Sequence, residues 1–144
     1  MNESSFASGK TKVYRLNWAY RLYHFAVGAA ALVGAVMAYH FLILSVVLAL
    51  FSIFMISRAL VMAVTVDPFS VTFKGLFSEN SLQRSSITAV ETKHTGKGDI
   101  LILWGNIDEK ESLAIPDLFA FDEDWDSWLS TYRDLSDDKP ISLF

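Results

Sequence analysis

The sequence contains one long run without charge, residues 22–57, in which no Asp, Glu, Lys or Arg occurs. The core of a soluble protein does not need so long a run, whereas a charged side chain inside a bilayer is costly. The run is too long for one span and sufficient for two, because 18 helical residues rise about 27 Å and a hydrocarbon core is about 30 Å thick. The sequence therefore predicts two transmembrane helices. A cleaved signal peptide is disfavoured, since its apolar part runs only about 7–15 residues.

The most polar point inside this run is Tyr39-His40, which we take as the link between the helices. The predicted helices cover residues 18–39 and 41–63, and they form a hairpin at residues 18–63 that follows a flexible tail at residues 1–17. Small residues let helices approach closely in lipid. They recur here as Ala26, Ala30, Gly34 and Ala38, and as Ser45, Ala49 and Ser52. Two compatible interpretations remain: the hairpin packs on itself through this face, or the face docks onto a larger membrane partner.

Basic residues flank the open ends of the predicted hairpin and are absent from its tip. They are Lys10, Lys12, Arg15 and Arg21 before the first helix, and Arg58 and Lys74 near the end of the second. Because cytoplasmic loops carry the excess of Lys and Arg, we expect both termini in the cytoplasm. The chain is thus predicted to be a multi-pass membrane protein with both termini on the cytoplasmic side. Interfacial anchoring is expected from Arg15, Trp18, Arg21 and Arg58, since such side chains suit the headgroup level.

Residues 64–135 show the periods of a small α+β domain. Apolar and polar residues alternate over positions 69–74, and further strands are predicted at 87–92, at 100–104 and around Leu113 and Ile115. After Pro116 the period becomes helical, with an apolar face formed by Phe121, Trp125, Trp128, Leu129, Tyr132 and Leu135. Asp122 is placed to cap this helix. We therefore expect a small antiparallel β-barrel or roll closed by an amphipathic C-terminal helix, then a flexible tail at residues 136–144.

The domain resembles a known family in its pattern of apolar positions and turns. The segments VTVDPFSVTFKG, SLQRSSITAVET, ILILWG and SLAIPDLF follow the hairpin in that order. In this they resemble the bacterial pleckstrin-homology-like membrane proteins, including the YcxB-like group. The matching positions are Arg84, Ile87, Val90, Ile115, Pro116 and Phe119. The resemblance implies a bent antiparallel barrel with a C-terminal helix at one end, and it implies no reaction.

The charge of the two parts differs in sign. Residues 1–63 carry a net charge of +4, and residues 64–144 carry −8. The acidic part disfavours nucleic acid, whose phosphates require a basic stripe. It also disfavours a headgroup site of the kind transferred from pleckstrin-homology domains, which needs clustered Lys or Arg. The candidate anionic-lipid contacts in this part are Lys74, Arg84, Lys93 and Lys97.

No constellation of reactive residues is visible in the sequence. There is no cysteine, and His24 and His40 belong to opposite ends of the hairpin. The acidic run from Asp122 to Asp126 is interpreted as a helix start favoured by the helix dipole. We therefore expect no enzymatic activity, no cofactor and no metal. The predicted function is that of an accessory or scaffolding subunit that contacts membrane lipids and other membrane proteins. The alternative is a lipid- or envelope-sensing regulator. The oligomeric state is left open.

Overall fold

The computed structural model describes residues 10–96, 98–106 and 111–136. The predicted tail at residues 136–144 lies outside them except for Ser136, as do residues 1–9. The helices are α1 (Trp18–Met37), α2 (Leu42–Val61) and α3 (Glu123–Leu129). The strands are β1 (Lys12–Arg15), β2 (Ala63–Val66), β3 (Ser70–Lys74), β4 (Glu79–Gln83), β5 (Ala89–Thr95), β6 (Gly98–Trp104), β7 (Ser112–Pro116) and β8 (Arg133–Asp134).

The two long helices form the predicted hairpin, and their ends lie within two residues of the predicted bounds. The Asn17 side chain caps α1 by accepting a hydrogen bond from the Ala19 amide at 3.1 Å. Both helices have 20 residues, with mean hydropathies of 1.3 and 2.3, so they are long and apolar enough to cross a membrane. In the 18-residue apolar segment of each helix, only 17% is buried within the protein, whereas the core helix of a soluble protein is mostly buried.

The strands form two four-stranded sheets, with the orders β1-β2-β3-β4 and β7-β6-β5-β8. Neighbouring strands are antiparallel except for β8, which runs parallel to β5. The predicted α+β class is confirmed, but the predicted closed barrel is wrong for the described strands. A short 3₁₀ helix at Arg84–Ser86 ends the pairing of β4 and leads the chain into the second sheet. One isolated bridge, between Leu16 and Phe119, joins the sheets.

The apolar core draws on both sheets and on α3. Val64, Val71, Leu103 and Ile115 are fully buried, and the Trp125 side chain is 2% exposed. Helix α3 is shorter than the predicted apolar face, which extends to residue 135. The hydroxyl of Thr131 donates to the carbonyl oxygen of residue 128 at 2.7 Å, and such bonds compete with helix continuation. The chain then extends into β8.

The segment before α1 is a strand rather than the predicted flexible tail. β1 pairs with β2 in the register Arg15↔Ala63. Tyr14 and Leu16 are buried, and Val13 and Arg15, which alternate with them, are exposed, so the segment contributes one apolar face to the core. The free energy gained by burying this apolar face offsets the conformational entropy lost when the strand becomes ordered. The helical hairpin is therefore an insertion between two adjacent strands of one sheet.

Candidate functional site at the base of the hairpin

Hydrogen bonds to Asp122 connect β1, the strand that leads into the hairpin, to the start of α3. The Asp122 carboxylate accepts hydrogen bonds from the Tyr14 hydroxyl at 2.8 Å, the Lys12 ammonium at 3.0 Å and the Trp125 amide at 3.0 Å. The last of these is the predicted helix cap. Partial burial raises the pKa of the Asp122 carboxyl, but the hydrogen bonds from Tyr14 and Lys12 outweigh this effect and hold that pKa below its usual value. Because the pKa of Asp122 is lowered in the folded protein, these hydrogen bonds stabilise the folded state at pH values above the usual carboxyl pKa. Their contribution is lost as the pH falls through the lowered pKa.

The two helices pack closely at Gly28. The Ser52 hydroxyl donates to the Gly28 carbonyl oxygen at 2.7 Å. A Cβ atom at position 28 would lie 2.7 Å from Cγ1 of Ile56, which is closer than carbon atoms can pack. A second hydroxyl, that of Ser45, donates to the Ala35 carbonyl oxygen at 2.8 Å. The small residues thus permit both close packing and hydrogen bonds between helices, as is typical of helices that pair in lipid.

The small residues that were predicted to form one packing face differ in their burial between the two helices. Ser52 is buried against α1, and Ser45 and Ala49 on the same helix are half-buried. On α1 the buried residues are His24, Gly28, Ala31 and Ala35. Of the predicted α1 residues, Gly34 and Ala38 are half-buried, whereas Ala26 and Ala30 are exposed. The reason is helical geometry: positions four apart turn about 40° per step around the axis, so a strict four-residue series leaves the contact face.

A groove of about 710 Å³ lies where the start of α1 meets the end of α2. Its main lining residues are Tyr20, Tyr23, His24, Phe51, Phe54, Arg58 and Leu118. His24 is 6% exposed, and its Nδ1 lies 2.6 Å from the Tyr20 carbonyl oxygen. Because a carbonyl only accepts, Nδ1 carries the proton and Nε2 is the ring nitrogen left for another partner. The groove is therefore aromatic, with a few polar groups at the end nearest the β-domain.

Two arginines at this end of the hairpin, Arg58 and Arg21, have no anionic partner among the described residues. The guanidinium of Arg58 lies 5.8 Å from the centre of the Phe54 ring. Within the described ranges no carboxylate forms an ion pair with Arg58 or Arg21. The Nε atom of Arg21 is buried and, among the described residues, has no hydrogen-bond partner. A buried hydrogen-bond donor without a partner lowers the stability of the folded state. An acceptor that bound at this end of the hairpin would remove that cost.

The loop between β3 and β4 reaches the same end of the hairpin. Phe77 in this loop stacks on Phe54 of α2, with ring centres 6.2 Å apart, and is otherwise 88% exposed. Lys74 is exposed, and its strand register places it opposite Ala63, two residues after the end of α2. An exposed aromatic side chain and a lysine therefore lie beside the end of α2.

Of the four predicted lipid contacts, the three that the structure describes are not brought together. Arg84 donates from Nη1 to the Asp67 carbonyl oxygen at 3.1 Å, at the far end of the β3–β4 pair from Lys74. Lys93 lies in the other sheet and pairs with a neighbouring glutamate at 3.8 Å. Lys97 lies outside the described residues. Of the four, Lys74 alone is shown at the base of the hairpin.

The predicted interfacial anchors do converge there. Arg15 ends β1, Trp18 starts α1, Arg21 lies one turn further and Arg58 lies in the last turn of α2. Trp18 is 74% exposed, so its indole is free to contact surrounding lipid or protein. These residues therefore lie at the end of the hairpin that joins the β-domain, and of the four only Arg58 lines the groove.

The histidines and carboxylates that the structure describes do not assemble into a metal site. In the part of the chain that the structure describes, no group of three or more His, Asp and Glu is placed to hold a metal ion. His94 in the β5–β6 hairpin bonds to Asp99 at 2.8 Å, and His40 lies in the helix link. No protein-family model, curated protein or solved structure matches the chain. The candidate function therefore rests on the geometry of the site.

Two parts of this site were missed from sequence. The strand β1 had a detectable signal, since Tyr14 and Leu16 alternate with Val13 and Arg15. The groove had none, because its walls come from α1, α2 and the segment at Leu118, which are far apart in the chain. Only the fold brings these residues together.

Proposed function

We propose that this chain is an integral membrane protein that acts as a non-catalytic accessory or scaffolding subunit of a larger membrane complex. Its hairpin crosses the bilayer, and its β-domain is presented at the cytoplasmic face of the bacterial inner membrane. One observation carries the proposal: an apolar hairpin, exposed on its outer faces, is inserted between two adjacent strands of the domain.

The exposed faces of the hairpin support insertion in lipid. Large apolar side chains that are at least half exposed recur along α2, among them Ile43, Val47, Leu50 and Ile53. A water-soluble monomer rarely exposes so large an apolar surface. Each helix of 20 residues rises about 30 Å, which matches the thickness of a hydrocarbon core.

The distribution of charge supports the orientation. The arginines and Lys74 lie at the open end of the hairpin, whereas the described link between the helices contains no Lys or Arg. The positive-inside rule then favours the open end, and with it the β-domain and both termini, on the cytoplasmic side. In this orientation Phe77 and Trp18 lie at the level where aromatic side chains are enriched.

The strand arrangement supports a relationship to pleckstrin-homology-like domains. Strands β1 to β7 pair antiparallel in two sheets and are followed by α3, which agrees with the antiparallel strands and the C-terminal helix that the resemblance implies. The hairpin then occupies the connection between the first and second strands. Because both its ends are fixed in paired strands, a partner that binds the helices is coupled mechanically to the domain.

The outer face of α1 supports a role in assembly. Ala26 and Ala30 are exposed and take no part in the packing of the hairpin on itself. They leave a shallow surface on which another helix can pack closely. Purification in mild detergent followed by native mass spectrometry tests the proposal. We expect the chain to be recovered with at least one other membrane protein, and Ala30→Leu to reduce that recovery several-fold. Isolation as a lone monomer from every mild detergent would contradict the accessory role.

The alternative function, a lipid- or envelope-sensing regulator, draws support from the groove rather than from the predicted basic cluster. Lys74, Arg84 and Lys93 are dispersed, but Arg58 and Arg21 lie at the groove end without an anion among the described residues.

A further inference from the structure

We infer that the groove at the base of the hairpin binds one anionic phospholipid, whose phosphate pairs with Arg58 and whose acyl chain lies against α1 and α2. The inference deepens the proposed function and depends on the proposed insertion in the membrane. It names an occupant for a surface that the hairpin and the domain form together.

The first argument is charge. Arg58 lies in the last turn of α2, where a basic side chain is favoured by the helix dipole, and within the described ranges its guanidinium contacts a ring and no carboxylate. In the proposed orientation this position is at headgroup level. A phosphate offers the paired oxygen acceptors that a guanidinium binds with two hydrogen bonds, and the cytoplasmic leaflet is rich in anionic lipid.

The second argument is the chemistry of the walls. Phe51, Phe54 and Met55 line the groove on the α2 side, and they continue into the exposed apolar surface of the hairpin. An acyl chain can occupy such a surface without leaving the hydrocarbon core. Tyr20 and Tyr23 are partly exposed at 43% and 59%, and their hydroxyls are polar groups suited to the glycerol region of a lipid. His24 adds one further polar side chain to the lining.

These two features together favour a lipid over an acidic protein segment. A peptide carboxylate could pair with Arg58, but its neighbouring backbone would have to enter the apolar part of the groove with unsatisfied amides. A phospholipid has one anion next to a long apolar chain, in the same order as the arginine and the aromatic wall. The volume of about 710 Å³ is sufficient for a headgroup and the first part of one chain.

The test uses the full-length protein in mild detergent, incubated with equimolar phosphatidylglycerol and phosphatidylcholine of the same acyl chains. Native mass spectrometry then counts the lipids retained. We expect one phosphatidylglycerol to be retained with a preference of about tenfold, the scale of one charge-assisted contact. Arg58→Gln should reduce the preference to near one. The matched control Arg15→Gln removes an exposed charge outside the groove lining and should retain the preference.

A second variant keeps Arg58 and fills the groove. Ala19 lines the groove from the exposed first turn of α1, so Ala19→Trp should abolish retention of either lipid without disturbing the helix. Equal retention of the two lipids by the wild-type protein would overturn the proposal, as would an unchanged preference in Arg58→Gln or an equal loss in Arg15→Gln. If Arg58→Gln does not fold, unchanged retention in Ala19→Trp overturns it. Retention of neither lipid by the wild type would also overturn it.

Alkaline carbonate extraction of membranes separates this proposal from the proposed function. A chain that resists extraction yet shows no lipid preference contradicts the lipid site alone. A chain that is extracted contradicts both.

Discussion

Gly28→Leu is expected to separate the two helices and to destabilise the hairpin by about 1–3 kcal/mol, the usual cost of overpacking. The added Cβ atom would lie 2.7 Å from Ile56 Cγ1 and 3.4 Å from the Ser52 carbonyl oxygen, so the helices must move apart. That movement also stretches the hydrogen bond from the Ser52 hydroxyl to the Gly28 carbonyl oxygen, now 2.7 Å. Thermal unfolding in mild detergent, followed by the helical circular dichroism signal, measures the effect.

Ala30→Leu is the matched control, because it adds a leucine to the same helix at an exposed position. We expect it to leave the unfolding temperature of the isolated protein nearly unchanged. Gly34→Ala should have a small effect, since its Cβ atom would lie 3.4 Å from Leu48 Cδ1, an ordinary contact. Equal destabilisation by Gly28→Leu and Ala30→Leu would contradict the helix interface described here.

Trp125→Ala is expected to have the largest effect on the β-domain. The Trp125 ring stacks on the Phe121 ring, with ring centres 4.3 Å apart. Its ring centre lies 5.5 Å from that of Tyr14 and 5.3 Å from that of Trp128. Removing a buried tryptophan costs about 3–5 kcal/mol, a large share of the about 5–15 kcal/mol that stabilises a typical domain. Because Tyr14 belongs to β1, the loss should also loosen the strand that enters the hairpin. Urea unfolding followed by far-ultraviolet circular dichroism measures the change.

Phe69→Ala provides the control for the domain. Phe69 is 82% exposed, and its described hydrogen bonds involve the backbone only, so the variant should change the free energy of unfolding by no more than about 0.5 kcal/mol. Similar losses in the two variants would show that α3 does not contribute to the core in the way the structure indicates.

The hairpin was predictable from sequence because its signal is local. The uncharged run, the polar break at Tyr39-His40 and the basic flanks all lie within one continuous segment. The helix face was less predictable: the small residues were identified, but the choice between Ala26–Ala30 and Gly28–Ala31 depends on which side of α1 meets α2. That choice is made by packing against Ser52 and Ile56, which lie in the other helix.

The α+β class of the domain was predictable from sequence, but whether its strands close into a barrel was not. Alternation indicated strands around Val71, Leu103 and Ile115, and the aromatic period indicated α3. The pairing of β1 with β2 was missed because the two strands are separated in sequence by the whole hairpin. The separation of the candidate lipid contacts has a related cause, because the antiparallel pairing of β3 with β4 puts Lys74 and Arg84 at opposite ends of the strand pair.

The most direct test of the central claim is the sidedness of the hairpin. The chain has no cysteine, so a single one can be introduced at the helix link by His40→Cys and on the exposed side of α3 by Ser127→Cys. Each variant is treated with a membrane-impermeant maleimide in right-side-out and in inverted bacterial membrane vesicles. A hairpin that crosses the bilayer predicts labelling of His40→Cys only in right-side-out vesicles and of Ser127→Cys only in inverted ones. Labelling of both positions from the same side would contradict it.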